Sequence, residues 1–178
     1  GSGKSTLGRR LAETLDLTYI SGGDGLKLLA IKRGYRPGGV EWWETADGLR
    51  FLEERLRNPD FDKEVDQQLV ELAERGNVVI DSWVLPWLYR GGFNIWLKAS
   101  LEVRARRVSR RSGISFEEAL EMLKKRDRES SELYRRIYGI ELGKDFEPFH
   151  LVLDTSNLDE DSVFRIVLTA VKAFFKLV

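Results

Sequence analysis

The sequence predicts an α/β fold in which a parallel sheet is covered by helices on both faces, and three observations predict it. Short β-branched runs alternate with longer stretches of helical apolar spacing, the pattern of successive βαβ units. The first residues are rich in glycine and run straight into an amphipathic helix. At 178 residues the chain has room for one domain of this kind and not for two.

Four strands are expected, at Leu17 to Ile20, Val78 to Asp81, Phe93 to Leu97 and Leu151 to Asp154, each bounded by polar or turn residues. Leu7, Leu11, Ala12 and Leu15 mark one face of a helix that begins at the start of the chain. A second helix is expected over Asp62 to Arg75, ended by Gly76 in the left-handed conformation. Ser115 and Glu118 form a capping box that opens a third. Val163, Ile166, Val167, Ala170, Val171, Phe174, Phe175 and Val178 fall on one face of the last helix, with Asn157 and Glu160 as its expected cap. Arg36-Pro37-Gly38-Gly39 forbids regular structure in the segment from Gly34 to Asp47.

Composition narrows the chemistry. Twenty-nine Lys and Arg balance 29 Asp and Glu, so no nucleic-acid or anionic-membrane partner is expected and any cationic site must be local. With no cysteine and one histidine, a thiolate nucleophile, a cysteine-ligated metal and a multi-histidine centre are excluded. No apolar run approaches the roughly 18 residues of a membrane span, and no leader pattern opens the sequence. A cytoplasmic monomer is expected, and the high charge content leans towards a thermophilic source.

Gly1-Ser2-Gly3-Lys4-Ser5-Thr6 is the second half of G-x-x-x-x-G-K-[ST], the loop whose backbone N–H groups surround nucleotide phosphates. Gly3 lets the backbone approach the anion, Lys4 reaches the β- and γ-phosphates, and Ser5 offers a hydroxyl to Mg²⁺. Ser2 and Thr6 support the same loop. Asp81, at the end of its strand, is placed to hold the water shell of the metal, although a turn or capping role fits its position equally well. Arg104, Arg106, Arg107, Arg110 and Arg111 crowd eight residues; as a helix this puts Arg104, Arg107 and Arg111 on one face and Arg106 with Arg110 on another. Such a cluster suits a phosphate lid, whereas any one of these arginines alone would read as solvated surface.

These motifs resemble the phosphate-loop nucleoside monophosphate kinases, and most closely the archaeal type of cytidylate kinase. The resemblance is carried by residues 1–6, by Tyr19-Ile20-Ser21-Gly22-Gly23-Asp24, by the run from Asn58 to Asp66, by Asn77 to Asp81, by Leu97 to Arg107, by Gly113-Ile114-Ser115, by Tyr138-Gly139-Ile140 and by Leu153 to Leu158. It implies a P-loop NTPase fold, a three-layer α/β/α arrangement with strand order 2-3-1-4-5, whose first strand would lie upstream of residue 1. It also implies an acceptor-binding insertion over 25–60, a lid over 104–136, and transfer of the ATP γ-phosphoryl group to CMP or dCMP with Mg²⁺.

Within that resemblance Lys4, Arg104, Arg107 and Arg110 would act on the transferring group, and residues 1–6 would bind ATP. Ser5 and Asp81 would serve the metal, and Asp24, Lys27, Trp83, Arg126 and Asp127 the acceptor.

Three positions depart from the family pattern. Lys27 stands where an arginine is usual, Trp83 replaces the arginine that follows Asp81 by one position beyond Ser82, and Ser130 and Leu133 interrupt an Arg-Asp-x-x-Asp-x-x-Arg motif begun by Arg126 and Asp127. Trp42 and Trp43, with Trp83, Pro86 and Trp87, would build an aromatic wall or a hydrophobic cap on the insertion, and Tyr89 and Arg90 could return a cation to the acceptor. His150 has no assigned role. Two other readings stay open: a phosphate-loop kinase with a different acceptor, and a nucleotide-binding module without transfer.

A chain carrying about ten further N-terminal residues, enough for a strand of five to six residues and its turn, is expected to melt at a higher temperature than residues 1–178. Equal midpoints in a thermal melt would contradict the expected strand.

Overall fold

The computed structural model describes residues 1–38, 42–43 and 45–177. Gly39 of the irregular segment and Val178 of the last apolar face lie outside the described residues. The chain runs α1 (Lys4–Leu15), β1 (Thr18–Ser21), α2 (Gly22–Lys32), α3 (Ala46–Arg57), α4 (Asp60–Arg75), β2 (Val78–Asp81), α5 (Leu85–Leu88), β3 (Ile95–Lys98), α6 (Leu101–Ser112), α7 (Phe116–Tyr138), β4 (Leu151–Asp154) and α8 (Glu160–Phe175). No helix of the described residues is long and apolar enough to cross a membrane.

All four expected strands form, within two residues of the expected bounds. They pair in parallel as β1 with β2, Thr18 opposite Val78 through Ser21 opposite Asp81, and as β3 with β4, Ile95 opposite Leu151 through Lys98 opposite Asp154. The two pairs are separate two-stranded sheets. Helix α1 serves both. Its Leu7 and Leu11 share a core with Val79 of β2, with Ile95 and Leu97 of β3, and with Val163, Phe164, Val167 and Val171 of α8.

Three local expectations need correction. Gly76 has a positive φ of 76° but an extended ψ of −174°, and the left-handed turn is taken up beside it by Asn77, at φ 55°. Helix α8 is capped by Asp159, whose side chain accepts from the Ser162 N–H, rather than by Asn157. Its face is buried through Val163, Val167 and Val171, but Phe174 and Phe175 extend past the strands and stay about half exposed. Helix α7 does open on the expected capping box, with Ser115 and Glu118 satisfying each other's backbone N–H groups.

Among the described residues three helices lie between β1 and β2, and the sequence pattern predicts only α4 of them. Helix α3 begins at Thr45, whose hydroxyl accepts from the Gly48 N–H. Trp42 is buried there with Phe51, Leu29, Ala30 and Phe61, which makes it core of the segment between β1 and β2 rather than a wall facing a ligand.

A buried polar cluster joins this segment to α7. The Arg55 guanidinium on α3 donates to both carboxylate oxygens of Asp62 on α4, at 3.0 and 2.7 Å, and at 2.8 Å to the Tyr134 hydroxyl on α7. Tyr134 donates to Asp62 Oδ1 at 3.2 Å, and Tyr138, one turn on, donates to Asp66 Oδ2 at 3.1 Å. One guanidinium thus faces two buried carboxyls. Burial, and then the neighbouring Asp62 charge, push the Asp66 carboxyl up to about 7.

The folded chain therefore holds a proton on Asp66 that an unfolded one, with an aspartate near 4, has released. Stability from this group is full below about pH 4, declines as pH rises to about 7, and is flat above that. Asp66→Asn, which keeps the neutral shape, is expected to lose less of its thermal midpoint between pH 5 and pH 8 than the parent protein. Melts of both proteins at the two pH values check it.

Candidate active site

The start of α1 lacks the side-chain cap that closes most of the other long helices; α4, which opens at Pro59, lacks one at its cap position too, but there the Asn58 side chain accepts the Asp60 N–H at 3.3 Å. Helices α2, α3, α6, α7 and α8 each cap their first turn with a side-chain oxygen, from Ser21, Thr45, Ser100, Ser115 and Asp159. At α1 the cap position is Gly3, with no side chain to offer. The first N–H groups of a helix have no partner within it, and its dipole places partial positive charge at the same end. Gly3 sits at φ 98°, a conformation open to glycine, and a Cβ there would meet nothing within 4 Å. Backbone conformation is thus the constraint, and the space above the loop is open. These are the features of a cradle for an anion.

The side chains that follow converge on the end of β2. Ser5 Oγ donates to Asp81 Oδ2 at 2.6 Å, and the Lys4 ammonium lies 3.9 Å from Asp81 Oδ1. Tyr19, on β1, donates its hydroxyl to Asp81 Oδ2 at 3.3 Å. Burial, and then the Asp81 charge, raise the Tyr19 hydroxyl above its ordinary range, so it remains a donor. The ring reaches this position because residue 8 is glycine: a Cβ there would lie 2.7 Å from Tyr19 Cε2. Asp81 is accordingly a hub of three neighbours with its side chain only 10% exposed, and not a simple turn residue. Its single carboxylate beside the Ser5 hydroxyl suits Mg²⁺, which keeps most of its waters and takes few protein ligands. Among the described residues no group of three or more acidic or histidine side chains could hold a metal by itself.

A second set of contacts fixes the loop from its other side. Arg107 on α6 donates to the Gly1 carbonyl at 3.3 Å, to Thr155 Oγ1 at 3.0 Å and to the Thr155 carbonyl at 2.7 Å. Thr155, just beyond β4 and 1% exposed, has the Ser2 and Lys98 carbonyls each 3.2 Å from its hydroxyl. Loop, α6 and the ends of β3 and β4 are therefore joined around one hydroxyl.

The arginine cluster is divided. Arg104 forms a two-point ion pair with Asp127 on α7, at 3.1 and 2.6 Å, so two residues expected on different sides of the reaction bind each other. Arg107 holds the loop, Arg106 lies over the Phe116 ring, and Arg110 is exposed in the last turn of α6. Arg126 lies beside Asp127 on α7.

Of the residues expected to serve the acceptor, Asp24 is exposed in the first turn of α2, close to Gly22, where a Cβ would stand 3.5 Å from the Asp81 carbonyl. The Lys27 ammonium lies 6.0 Å from the Trp43 ring centroid. Trp83 and Trp87 both pack against Val84, Tyr134 and Ile140. Leu133 is 1% exposed and belongs to the core. Arg90 pairs with Glu147 at 2.7 Å instead of supplying a cation to the acceptor. His150 Nδ1 accepts the Asn94 N–H at 3.0 Å, a structural role. Sequence reasoning gave no role to Tyr19 or Thr155; the signal for the first was Gly8, four residues after the lysine.

The sequence matches the cytidylate kinase-like family over residues 1–157. It is 38% identical over 170 residues to a cytidylate kinase of Pyrobaculum islandicum, covering 94% of this chain and 86% of that protein. A cytidylate kinase of Methanopyrus kandleri is 35% identical over 182 residues, covering 96% and 88%. The chain belongs to the cytidylate kinase-like family. In fold it is similar to a shikimate kinase from Acinetobacter baumannii, with a TM-score of 0.51 at 17% identity over 98% of this chain and 88% of that one. An uncharacterized protein from Eubacterium ventriosum gives 0.55 at 15% identity, covering 97% and 93%.

Thr155→Val, which keeps shape but removes the hydroxyl, is expected to lower unfolding stability by about 1–3 kcal/mol, because it takes away the acceptor of an Arg107 N–H and the one hydroxyl proton that the Ser2 and Lys98 carbonyls share. Chemical denaturation checks the value.

Proposed function

We propose that this chain transfers the γ-phosphoryl group of MgATP to CMP or dCMP. The observation that carries the reading is the Ser5–Asp81 hydrogen bond of 2.6 Å with the Lys4 ammonium beside it at the uncapped start of α1. The loop of residues 1–6 holds the triphosphate through backbone N–H groups, and Lys4 meets its terminal oxygens. Ser5 and Asp81 hold Mg²⁺, which when bound neutralises charge on the β- and γ-phosphates.

No covalent intermediate on the protein is needed. An oxygen of the acceptor's 5′-phosphate attacks the γ-phosphorus in line, the bond to the β–γ bridging oxygen breaks, and ADP leaves. The residues position and stabilise. Asp24 and Lys27, on the first turns of α2, serve the acceptor, with Trp83, Arg126 and Asp127 on its base side. Arg107 keeps the loop in shape, and Arg104 and Arg110 stand on the helix that closes over the transferring group. For Arg104 to reach phosphate it must exchange Asp127 for it, since its fork is engaged. Exclusion of water on closure protects ATP from hydrolysis.

In the same reading residues 25–60 form the acceptor-binding insertion and 104–136 the lid of a single domain. The two strand pairs are halves of one three-layer fold whose order 2-3-1-4-5, counted with the strand that feeds the loop as the first, runs β1, β2, that strand, β3 and β4. The shared core of α1 with both pairs supports this. The balanced charge supports action on a small molecule without nucleic acid, and the same reading takes the protein as a monomer.

ADP formation measured with a panel of nucleoside monophosphates tests the assignment. Turnover with CMP or dCMP is expected at least about tenfold above AMP, UMP and GMP, a preference worth about 1.4 kcal/mol. A different preferred acceptor would replace the substrate, and ATP binding with no ADP formed would replace the activity with a binding role.

A further inference from the structure

We infer that Trp83 is a positioning residue for the phosphate-loop lysine, its indole face holding the Lys4 ammonium at the place where the triphosphate arrives. The inference rests on the phosphate-loop reading above and assigns Trp83 a task on the nucleotide side in addition to its place beside the acceptor.

The geometry of Lys4 carries it. Its ammonium is 3.9 Å from the nearer Asp81 oxygen, which is beyond hydrogen-bond length, and the other Asp81 oxygen is occupied by Ser5 and Tyr19. Asp81 alone therefore restrains Lys4 loosely. The second restraint is the Trp83 ring, whose centroid lies 5.2 Å from Lys4 Nζ, within the range of a cation over a π face. Tryptophan is the strongest of the aromatic partners in such a contact.

Trp83 itself is fixed. Ser82 Oγ accepts from the Val84 and Leu85 N–H groups at 3.3 and 3.2 Å, which sets the turn after β2, and the indole packs against Val84, Tyr134 and Ile140. A flexible four-carbon stem, 35% exposed, thus ends against a rigid ring on one side and a carboxylate on the other. Lysine loses considerable rotamer freedom when it binds a phosphate. Meeting that loss before the nucleotide arrives raises affinity without any contact between Trp83 and the nucleotide. The ring is neutral, so it orders the ammonium without competing for it once the phosphates are present.

The test uses the chain of residues 1–178 and two variants, Trp83→Leu and Trp83→Phe. In the protein without nucleotide, the Lys4 ε-methylene resonance, identified by its absence in Lys4→Met, is expected upfield through the indole ring current. It should move to its ordinary position in Trp83→Leu and part of the way in Trp83→Phe. Calorimetric affinity for MgATP is expected to fall about three- to tenfold in Trp83→Leu, the range of one cation–π contact, and by less than half that factor in Trp83→Phe.

An unshifted Lys4 resonance in the parent protein overturns the proposal, as does a Trp83→Phe loss as large as that of Trp83→Leu. Unchanged MgATP affinity in Trp83→Leu, with the parent protein binding, overturns the role of Trp83 alone. If the parent protein binds no MgATP, the phosphate-loop reading falls and this one with it.

Discussion

The hydrogen bond from Ser5 to Asp81 is the constraint on which the rest of the site depends. It ties the first turn of α1 to the C-terminal end of β2, two elements 76 residues apart in sequence. Because Asp81 also takes Tyr19 from β1, the bond sets the helix against the strand pair rather than against one strand. A helix start left without a side-chain cap would ordinarily fray. Here its second residue is held from one side by Asp81 and its preceding loop from the other by Arg107 and Thr155. The uncapped N–H groups are consequently kept open to an anion in a loop that cannot collapse onto them.

The insertion is organised by a different force. Its apolar core of Leu29, Ala30, Trp42, Phe51 and Phe61 is small, and what joins it to α7 is the buried set of Arg55, Asp62, Tyr134, Asp66 and Tyr138. Buried ion pairs contribute little net stability against an apolar replacement, yet they fix one geometry, since every alternative leaves a charge without a partner. Helices α3, α4 and α7 are thereby held in a single register.

Much of the fold was legible in the sequence because burial and period coincide there. β2 and β4 were found with their bounds, and α7 from its capping box, since a β-branched run or a Ser-x-x-Glu pattern is local information. α2 and α3 were not foreseen: Gly22, Gly23, Gly25 and Gly48 lower helix propensity, and the helices form because Leu29, Phe51 and Arg55 find partners far away in sequence. The loop residues of the site were legible as a motif. The division of the arginines was not, because whether a guanidinium meets phosphate or Asp127 is decided by how α6 lies on α7, which no spacing within α6 reveals. Tyr19 and Thr155 escaped for the same reason, each acting through a contact with a residue at least 57 positions away.

The ion pair between Arg104 and Asp127 bears on how the helices beside the loop hold together. Helices α6 and α7 share the buried residues Ala105, Val108, Ala119 and Leu123, and the pair clamps the same hairpin near the site. Helices α6 and α7 are thus one unit, and Arg107 bonds that unit to the first residue of the loop.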